Sequence, residues 1–278
     1  MSTFVNRFKN NEDCYKFLSE IKWPDGQFVC AKCGNTTYHK GRSPYSRRCN
    51  RCKYDESVTS GTLFNKLRFP ILTAFNIIFR LATTGTGNSS VALAEALGIQ
   101  QKTCLAFKHK VQRAMGAMQQ KRLEGIVALD MFSLYNIQPR YYWERVIEKH
   151  HIAVAIEVRG EKPGRAFAIV IEEKEQPALI PFIERHVQPD AEMFIQEQYG
   201  YKTMMKKRFK NISFTPPIPV LEDHMNNIAD WIYNECGRFS PENLQAYLNE
   251  FHFRFNHPNN NWKNFDSLIR VMANNNLL

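Results

Sequence analysis

Two pairs of cysteines have the spacing of a zinc site. Cys30 and Cys33 stand two residues apart, as do Cys49 and Cys52, with 15 residues between the pairs. Each CxxC turn can direct two thiolates at one ion, and an intervening hairpin lets the second pair complete a tetrahedron. Gly34, directly after the first pair, supplies the turn that such a ribbon needs. Four thiolates leave no open coordination position, so the pattern predicts a structural zinc ion and not a catalytic one.

Basic residues surround these cysteines. A fold this small has little interior, so their side chains must face solvent or phosphate, and we predict that they contact DNA. A basic surface that only keeps the protein soluble is the alternative. The candidate contacts in this segment are Lys32, Arg42, Arg47, Arg48, Arg51 and Lys53. Cys14, on an amphipathic segment, is expected to be a core thiol.

A second kind of chemistry is suggested by Asp130, which follows four apolar residues in "GIVALDMFSLYN". Two-metal phosphoryl transfer needs carboxylates that converge on ions about 3.5–4 Å apart. An acid at the centre of an apolar strand is a candidate for the first such ligand. The alternative is an aspartate at a strand end that faces water.

A third candidate site lies in "EDHMNNIADWIYN", residues 222–234, a polar segment that is predicted to form a short helix. Asp223, Asn226, Asn227 and Asp230 share one face at helical spacing. Such a face could hold a metal ion, bind DNA or simply meet water.

The charge of the chain is divided unevenly between its two parts. Residues 1–124 carry 20 Lys and Arg against 8 Asp and Glu, a balance of +12, whereas residues 125–278 carry 17 against 19, a balance of −2. A basic front section joined to a near-neutral one indicates a nucleic-acid-binding N-terminal part.

A helix-turn-helix is predicted within that basic part, after an apolar helix that follows Pro70. Ser89 or Ser90 can cap a helix that runs to about Leu97, and Gly98 stops it. A longer basic helix follows, to about Met118, and this arrangement is typical of DNA-binding modules. An ordinary helical hairpin is the alternative. The second helix offers Gln101, Lys102, Lys108, Lys110 and Arg113 for contacts with DNA.

The remaining chain predicts a larger α/β domain. Three strands come first, in the segments that contain Asp130, "HHIAVAIEVRG" and "GRAFAIVIEE", and helices then alternate with strands. This order predicts a mixed sheet of ribonuclease-H-like type. Lys206 and Lys207, in the basic stretch 202–210, could contact phosphates locally. The aromatic tail "YLNEFHFRFNHPNNNW" is expected to pack the core of this domain.

These elements predict three domains. An N-terminal helix and zinc ribbon span 1–66, the helical DNA-binding domain spans 67–122, and the ribonuclease-H-like domain spans 123–278. No run of about 18 apolar residues exists, which argues against a membrane-spanning helix. The first residues lack the apolar core of a signal peptide, so we expect a cytoplasmic, nucleoid-associated protein.

Three segments in this order resemble the zinc-ribbon transposases of the Merlin-like insertion-sequence group. They are "CAKCG … CNRCKYDESVTSGTLF", "SSVALAEALGIQQKTCLAFKHKVQRAM" and "LQAYLNEFHFRFNH". The resemblance implies the zinc ribbon, the helix-turn-helix and the ribonuclease-H-like fold already described. It also implies DNA ends as substrate, a homodimer, and a magnesium-dependent triad of Asp, Asp and Glu, with Asn sometimes in the last place.

Carried onto this sequence, that triad is incomplete. The first acid is Asp130, although the family's usual following Glu is Met131. The second position, before a Tyr, holds Glu197, which is one methylene longer than Asp. In the His-x-Asn-x-x-Glu pattern of the third, His224 and Asn226 are present but Ala229 takes the place of the acid.

Two nearby residues, Asp230 and Asn226, are poor substitutes for the acid that is absent at position 229. Asp230 is turned by about 100° around the helix, and Asn226, one turn back, is a neutral ligand. We therefore expect a DNA-binding protein with a degraded catalytic site and no productive magnesium site. An active transposase that uses Asp130, Glu197 and either Asn226 or Asp230 is the alternative. A purely structural or protein-interaction role is a third possibility.

Overall fold

The computed structural model describes residues 2–83, 89–119, 121–141, 144–172, 179–196, 202–215, 218–236, 239–258 and 261–274. The chain forms two compact units. Unit 1 comprises Met1–Met118 together with Asn259–Leu278, and unit 2 comprises Gln119–Pro258. Within the described residues, no helix is both long enough and apolar enough to cross a bilayer.

Unit 1 combines a small ribbon with a cluster of helices. Its strands are β1 (Tyr38–Lys40), β2 (Arg47–Cys49) and β3 (Asp55–Glu56), which form one antiparallel sheet in the order β1-β2-β3. Its helices are α1 (Ser2–Arg7), α2 (Asn11–Lys22), α3 (Ile71–Thr83), α4 (Ser90–Leu97), α5 (Gln101–Ala117) and, from the far end of the chain, α10 (Asn261–Ala273).

Helix α10 completes the core of unit 1. Its Phe265 is buried and lies against the rings of Phe4, Phe8, Phe75 and Phe79, with centroids between 5.8 and 6.2 Å away. Aromatic burial on this scale is a large share of the stability of a small core. The C-terminal helix therefore belongs to the same compact unit as the ribbon.

Helices α4 and α5 confirm the predicted helix boundaries. The Ser89 side chain caps α4 by accepting a hydrogen bond from the N–H of Ala92, 3.1 Å away. Gly98 ends α4 in the left-handed region at φ 63°, where a residue without Cβ carries no steric cost. Gln101 then begins α5, so the turn between the two helices is short.

Unit 2 is built on a five-stranded mixed sheet in the order β6-β5-β4-β7-β8. The strands are β4 (Ile126–Tyr141), β5 (Glu144–Arg159), β6 (Lys162–Ile171), β7 (Glu192–Gln196) and β8 (Ile212–Thr215). The first three strands pair antiparallel, and β7 and β8 run parallel to β4. The predicted order of strands and the predicted ribonuclease-H-like fold class are confirmed.

Helices cover both faces of this sheet. They are α6 (Leu179–His186), α7 (Lys202–Arg208), α8 (Pro219–Trp231), which continues into a π-helical turn (Ile232–Cys236), and α9 (Pro241–Asn256). Alternate residues of a strand point to opposite faces. Val127, Leu129 and Met131 accordingly pack with α6, whereas Ala128 and Leu134 pack with α8 and α9.

The predicted packing of the aromatic tail is confirmed for α9. Leu244, Tyr247 and Leu248 of α9 join the core cluster on the face of the sheet that includes Ala128. Asn256, the last residue of the helix, accepts from the N–H of Ala166 and donates to its carbonyl, both at 2.9 Å. The part of the tail in α9 is thus used for the domain's own core, whereas Trp262 lies against Phe79 in unit 1.

Strands β4 and β5 are much longer than the sequence patterns indicated. They remain paired from Val127 beside Glu157 to Tyr141 beside Glu144. Within the described residues, β7 pairs with β4 as far as Leu129, and β6 pairs with β5 from His151 to Arg159, so only the N-terminal part of β4 and the C-terminal part of β5 are flanked. The two strands therefore continue past the rest of the sheet as a two-stranded hairpin.

The outer edge of β4 is partly closed by a side chain. The Tyr233 hydroxyl accepts from the N–H of Tyr135 at 2.9 Å and donates to the carbonyl of Tyr135 at 3.2 Å. One phenol thus satisfies both backbone groups that a further strand would have paired. Such blocking protects an exposed strand from unwanted pairing.

The contacts group residues 1–118 of the first two predicted domains into unit 1 and add α10, which the prediction places with the ribonuclease-H-like domain. Long-range aromatic packing is the reason, since Phe265 contributes to a core of which the other members lie near the N-terminus. The three-domain division as such stays a prediction.

Candidate functional site

The four cysteines of the ribbon converge on one point. Their Sγ atoms all lie within 4.8 Å of one another. The Cys30 and Cys52 sulfurs are 3.6 Å apart, as are those of Cys33 and Cys49. Four thiolates at about 2.3 Å from a tetrahedral zinc ion would be about 3.8 Å apart, so the donor set and its dimensions fit zinc. Because the protein supplies all four ligands, no coordination position stays open for a substrate, and a zinc ion here would be structural.

The two cysteine pairs adopt the same backbone geometry. In the first, Gly34 N–H donates to the Cys30 carbonyl at 2.9 Å, and in the second, Lys53 N–H donates to the Cys49 carbonyl at 3.1 Å. Both Gly34 (φ 71°) and Lys53 (φ 60°) lie in the left-handed region. A glycine tolerates that conformation, whereas a lysine is strained in it. The turn after the second cysteine pair therefore has the same geometry as the turn after the first, although Lys53 is strained there.

The surroundings of Cys49 favour a thiolate. Burial raises the pKa of this thiol, but the backbone N–H groups of Cys52 and Arg51 and the neighbouring thiols outweigh that effect and lower the pKa to about 6. The Asn35 amide also donates to the Cys49 sulfur, 3.5 Å away. A ligand that is deprotonated at neutral pH is ready to bind a metal ion.

The predicted DNA contacts of the ribbon divide into two groups. Lys32, Arg42, Arg51 and Lys53 are exposed. Arg47 is instead used inside the fold, because its guanidinium lies 4.5 Å from the Trp23 ring centroid and 4.2 Å from that of Tyr38.

Arg47 also donates to the carbonyls of Gly26 and Gln27, at 2.8 and 3.2 Å. It therefore joins strand β2 to the segment before the first cysteine pair. Arg48 is half-buried in the same central strand, between His39 of β1 and Asp55 of β3. The positions of Arg47 and Arg48 favour structural roles.

Only some of the DNA contacts predicted on helix α5 are exposed at its surface. Lys102 and Arg113 are exposed and Lys110 is half-buried. Gln101 is exposed, but its amide donates to the Ser90 hydroxyl at 3.0 Å and so links α5 to α4. Lys108 is only 4% exposed, on the same side as Cys104 and Val111. The structure therefore does not place Lys108 where a phosphate could reach it, because helical spacing turns it toward the interior.

The basic stretch of unit 2 is on its surface. Lys206 and Lys207 are exposed on α7. The next residue, Arg208, forms an ion pair with Glu184 of α6. Two lysines thus stay available for phosphate at this helix.

Asp130 is buried within the sheet of unit 2, at 6% exposure. It lies opposite Val154 of β5 and on the sheet face shared by Ala128 and Leu134, which α8 covers. One carboxylate oxygen of Asp130 accepts from the N–H of Met131, at 2.6 Å. Asp130 is therefore not an aspartate that faces water, and its role as a first acid stays a prediction.

The second acid position cannot be placed. Strand β7 runs parallel to β4 as far as Ile195 beside Leu129, and it ends at Gln196. Glu197, the next residue, lies outside the described residues. The end of β7 is thus level with Asp130.

On α8, the third acid position faces the core. Ala229 is half-buried and packs against the apolar cluster that contains Ala128 and Val154. Asn226 and Asp230, the two candidate substitutes for that acid, are both exposed. Among all described residues, the four cysteines are the one group of three or more His, Cys, Asp and Glu side chains close enough to share a metal ion.

Helix α8 is held in place by a buried pair of histidines, which sequence reasoning recorded only as part of a motif. His252 Nδ1 donates to the Leu248 carbonyl at 2.8 Å, so its Nε2 is the acceptor for His224 Nε2–H at 3.2 Å. Burial and the neighbouring His252 lower the pKa of His224 to about 3, and burial lowers that of His252 to about 4. Both rings are therefore neutral at physiological pH.

Two further cations were missed by the sequence reasoning. Lys66 and Arg68 line a groove in unit 1 together with Lys102 and Lys110 of α5. The signal available in the sequence was the pair of basic residues in "NKLRFP", just before the helix that follows Pro70.

Comparison with known protein families gives two matches. Residues 9–55 match a transposase zinc-ribbon domain, and residues 135–256 match an ISXO2-like transposase domain, both from the IS1595 group. The first match includes all four cysteines, and the second includes the whole of α8 and α9 but begins after Asp130. No curated protein matches the chain significantly.

Proposed function

We propose that this chain, which contains a transposase zinc ribbon and an ISXO2-like transposase domain, is a transposase-derived protein that binds double-stranded DNA without cutting it. The observation that carries the second part is Ala229, a methyl group packed against apolar side chains where the resemblance expects the third acid. A methyl group cannot coordinate a metal ion or stabilise charge.

DNA binding is supported by the distribution of charge and by the ribbon. The excess of positive charge lies in the first 124 residues. Within them, the exposed cations of α5 and of the ribbon, which a zinc ion would hold rigid, offer phosphate contacts. Transposases act on DNA, so the family matches support the same partner.

The loss of cleavage follows from the chemistry of two-metal sites. Carboxylates bring the two ions together and balance their charge, and the ions in turn activate the attacking oxygen and stabilise the leaving one. Removing one group of this kind typically costs a factor of about 10²–10³ or more in rate. A substitute from Asn226 or Asp230 is disfavoured by the exposure of both side chains.

The alternative is an active transposase with a shifted set of ligands. It is favoured by one observation, the retention of Asp130 in a buried position on the sheet face that α8 covers. This alternative would use Asp130 and Glu197, with Asn226 or Asp230 as the third ligand.

The deciding experiment is nicking of supercoiled plasmid in Mg²⁺ or Mn²⁺, compared among wild type, Ala229→Glu and Ala229→Gln. We expect no nicking by the wild type and metal-dependent nicking by Ala229→Glu alone, since Gln matches Glu in size but lacks its charge. Adding Asp130→Ala to the Glu variant should abolish that gain. Nicking by the wild type that Asp130→Ala removes would establish the alternative and refute our proposal.

Three finer features are also proposed, the first two of them from the resemblance. They are the Merlin-like affiliation, assembly as a homodimer and association with the nucleoid. Sedimentation equilibrium of the purified chain tests the dimer directly, and a monomer at micromolar concentration would refute it.

A further inference from the structure

A basic groove runs along the start of α5 in unit 1. It has a volume of about 360 Å³ and is formed on one side by the segment 66–69 and on the other by α5 from Gln100 to Lys110. Four cations stand along it, two from each side, and no Asp or Glu lines it. The cations are Lys66, Arg68, Lys102 and Lys110.

Among the residues that the structure describes, none of these four cations has a carboxylate within ion-pair distance. Lys66, Arg68 and Lys102 are exposed. Four like charges along one groove repel one another. An anion that lies between them lowers this unfavourable electrostatic energy.

The segment that carries Lys66 and Arg68 is held in a defined position. Phe69 packs edge-on against Phe107 of α5, with ring centroids 5.3 Å apart. Just upstream, Leu63 N–H donates to the Met272 carbonyl of α10 at 2.9 Å.

Lys66 itself has a left-handed backbone at φ 55°, which is costly for a residue with a Cβ. Residues with backbone strain of this kind cluster at functional positions.

We infer that this groove binds the phosphodiester backbone of double-stranded DNA, with Lys66 and Arg68 as contacts that act together with Lys102 and Lys110. The inference rests on the proposed DNA-binding function and adds residues outside the predicted helix-turn-helix. Phosphate contacts of this kind position a recognition helix and do not themselves read base sequence. The groove therefore fixes how α5 approaches the duplex.

The test compares the double variant Lys66→Gln/Arg68→Gln with the wild type and with a control of equal charge, Lys263→Gln/Arg270→Gln. Both control residues are exposed on α10 of the same unit, and neither lines the groove. Binding of the full chain, loaded with zinc, to a labelled duplex of about 30 base pairs is measured by fluorescence anisotropy between about 50 and 200 mM salt.

The logarithm of the association constant falls linearly with the logarithm of the salt concentration. Each lost phosphate contact makes this slope shallower by about 0.9. Loss of both contacts should reduce the slope by about 1.8, which corresponds to about 60-fold weaker binding at about 0.1 M salt. The control should keep the wild-type slope to within about half a contact. Circular dichroism and zinc content verify that each variant is folded.

The outcomes separate this inference from the function on which it rests. A reduced slope for the groove variant alone supports the groove. Wild-type binding with equal slopes for the groove variant and the control overturns the groove but leaves the proposed function standing. Wild type that binds no duplex at the lowest salt overturns the proposed function, and the groove with it.

Discussion

The buried pair His224 and His252 makes unit 2 sensitive to acid. Both rings are neutral in the folded chain, because burial lowers their pKa values well below the usual 6.5. In the unfolded chain each ring gains a proton as the pH falls below about 6.5. The unfolded state then binds more protons than the folded state, so stability is fully present above pH 6.5 and is lost as the pH falls.

The size of the effect follows from the difference in proton uptake. For each pH unit below 6.5, each histidine lowers the free energy of unfolding by about 1.4 kcal/mol. At pH 5 the loss is therefore about 2 kcal/mol for each ring and about 4 kcal/mol for the pair. A loss of that size is a large part of the stability of a typical domain, about 5–15 kcal/mol. Carboxylates also titrate near this range, and a comparison between variants cancels their contribution.

We predict that the double variant His224→Gln/His252→Gln loses about 4 kcal/mol less stability than the wild type between pH 7.5 and pH 5. Glutamine keeps a hydrogen-bonding side chain but cannot take up the proton. The measurement is hydrogen exchange of the buried β5 amides of residues 152–156, corrected for intrinsic exchange rates at each pH. His39→Gln, which removes an exposed histidine of unit 1, serves as the control. Parallel pH profiles for the wild type and the double variant would refute the reasoning.

Three further predictions concern the ribbon. Chelation of zinc should abolish amide protection in residues 38–56 while the sheet of unit 2 keeps its protection, because the zinc cluster belongs to unit 1; hydrogen exchange with and without chelator measures this, and a ribbon that stays protected without zinc would contradict it. Gly34→Ala should weaken zinc binding about fivefold, whereas Lys53→Gly should leave it equal or tighter, since about 1 kcal/mol of left-handed strain is added in the first and removed in the second. Competition with a chromophoric chelator ranks the variants, and the opposite order would show that φ at these positions does not limit the site. Arg47→Ala should destabilise the ribbon by about 2 kcal/mol, because it removes ring stacking and hydrogen bonds, while Arg51→Ala should weaken DNA binding and leave stability unchanged. Thermal unfolding and duplex titration of both variants test this, and a reversed pattern would make Arg47 the DNA contact.

Features set by short-range pattern were predictable from the sequence. The cysteine spacing led directly to the thiolate cluster, because two turns joined by a hairpin suffice to assemble it. Ser89 and Gly98 marked the ends of α4 because capping depends on local backbone geometry. Apolar segments located the first strands of unit 2, including the one that carries Asp130.

Other features depended on contacts between distant segments, which periodicity does not encode. The hairpin continues through residues 134–141 and 144–150 because two strands pair along their whole length, although Pro139 and mixed polar residues weaken the strand pattern there. Helix α10 joins unit 1 because Phe265 completes an aromatic core near the N-terminus.

The roles of single cations were also decided by the tertiary structure. Composition showed that the first part of the chain is basic, but not which charges are free to meet DNA. Packing directs Lys108 inward and stacks Arg47 between two rings, whereas it places Lys66 and Arg68 beside α5. The sequence by itself determined the types and order of the elements, since these follow from local propensity and spacing. Only the tertiary structure decided which side chains meet, because burial depends on residues far apart in the chain.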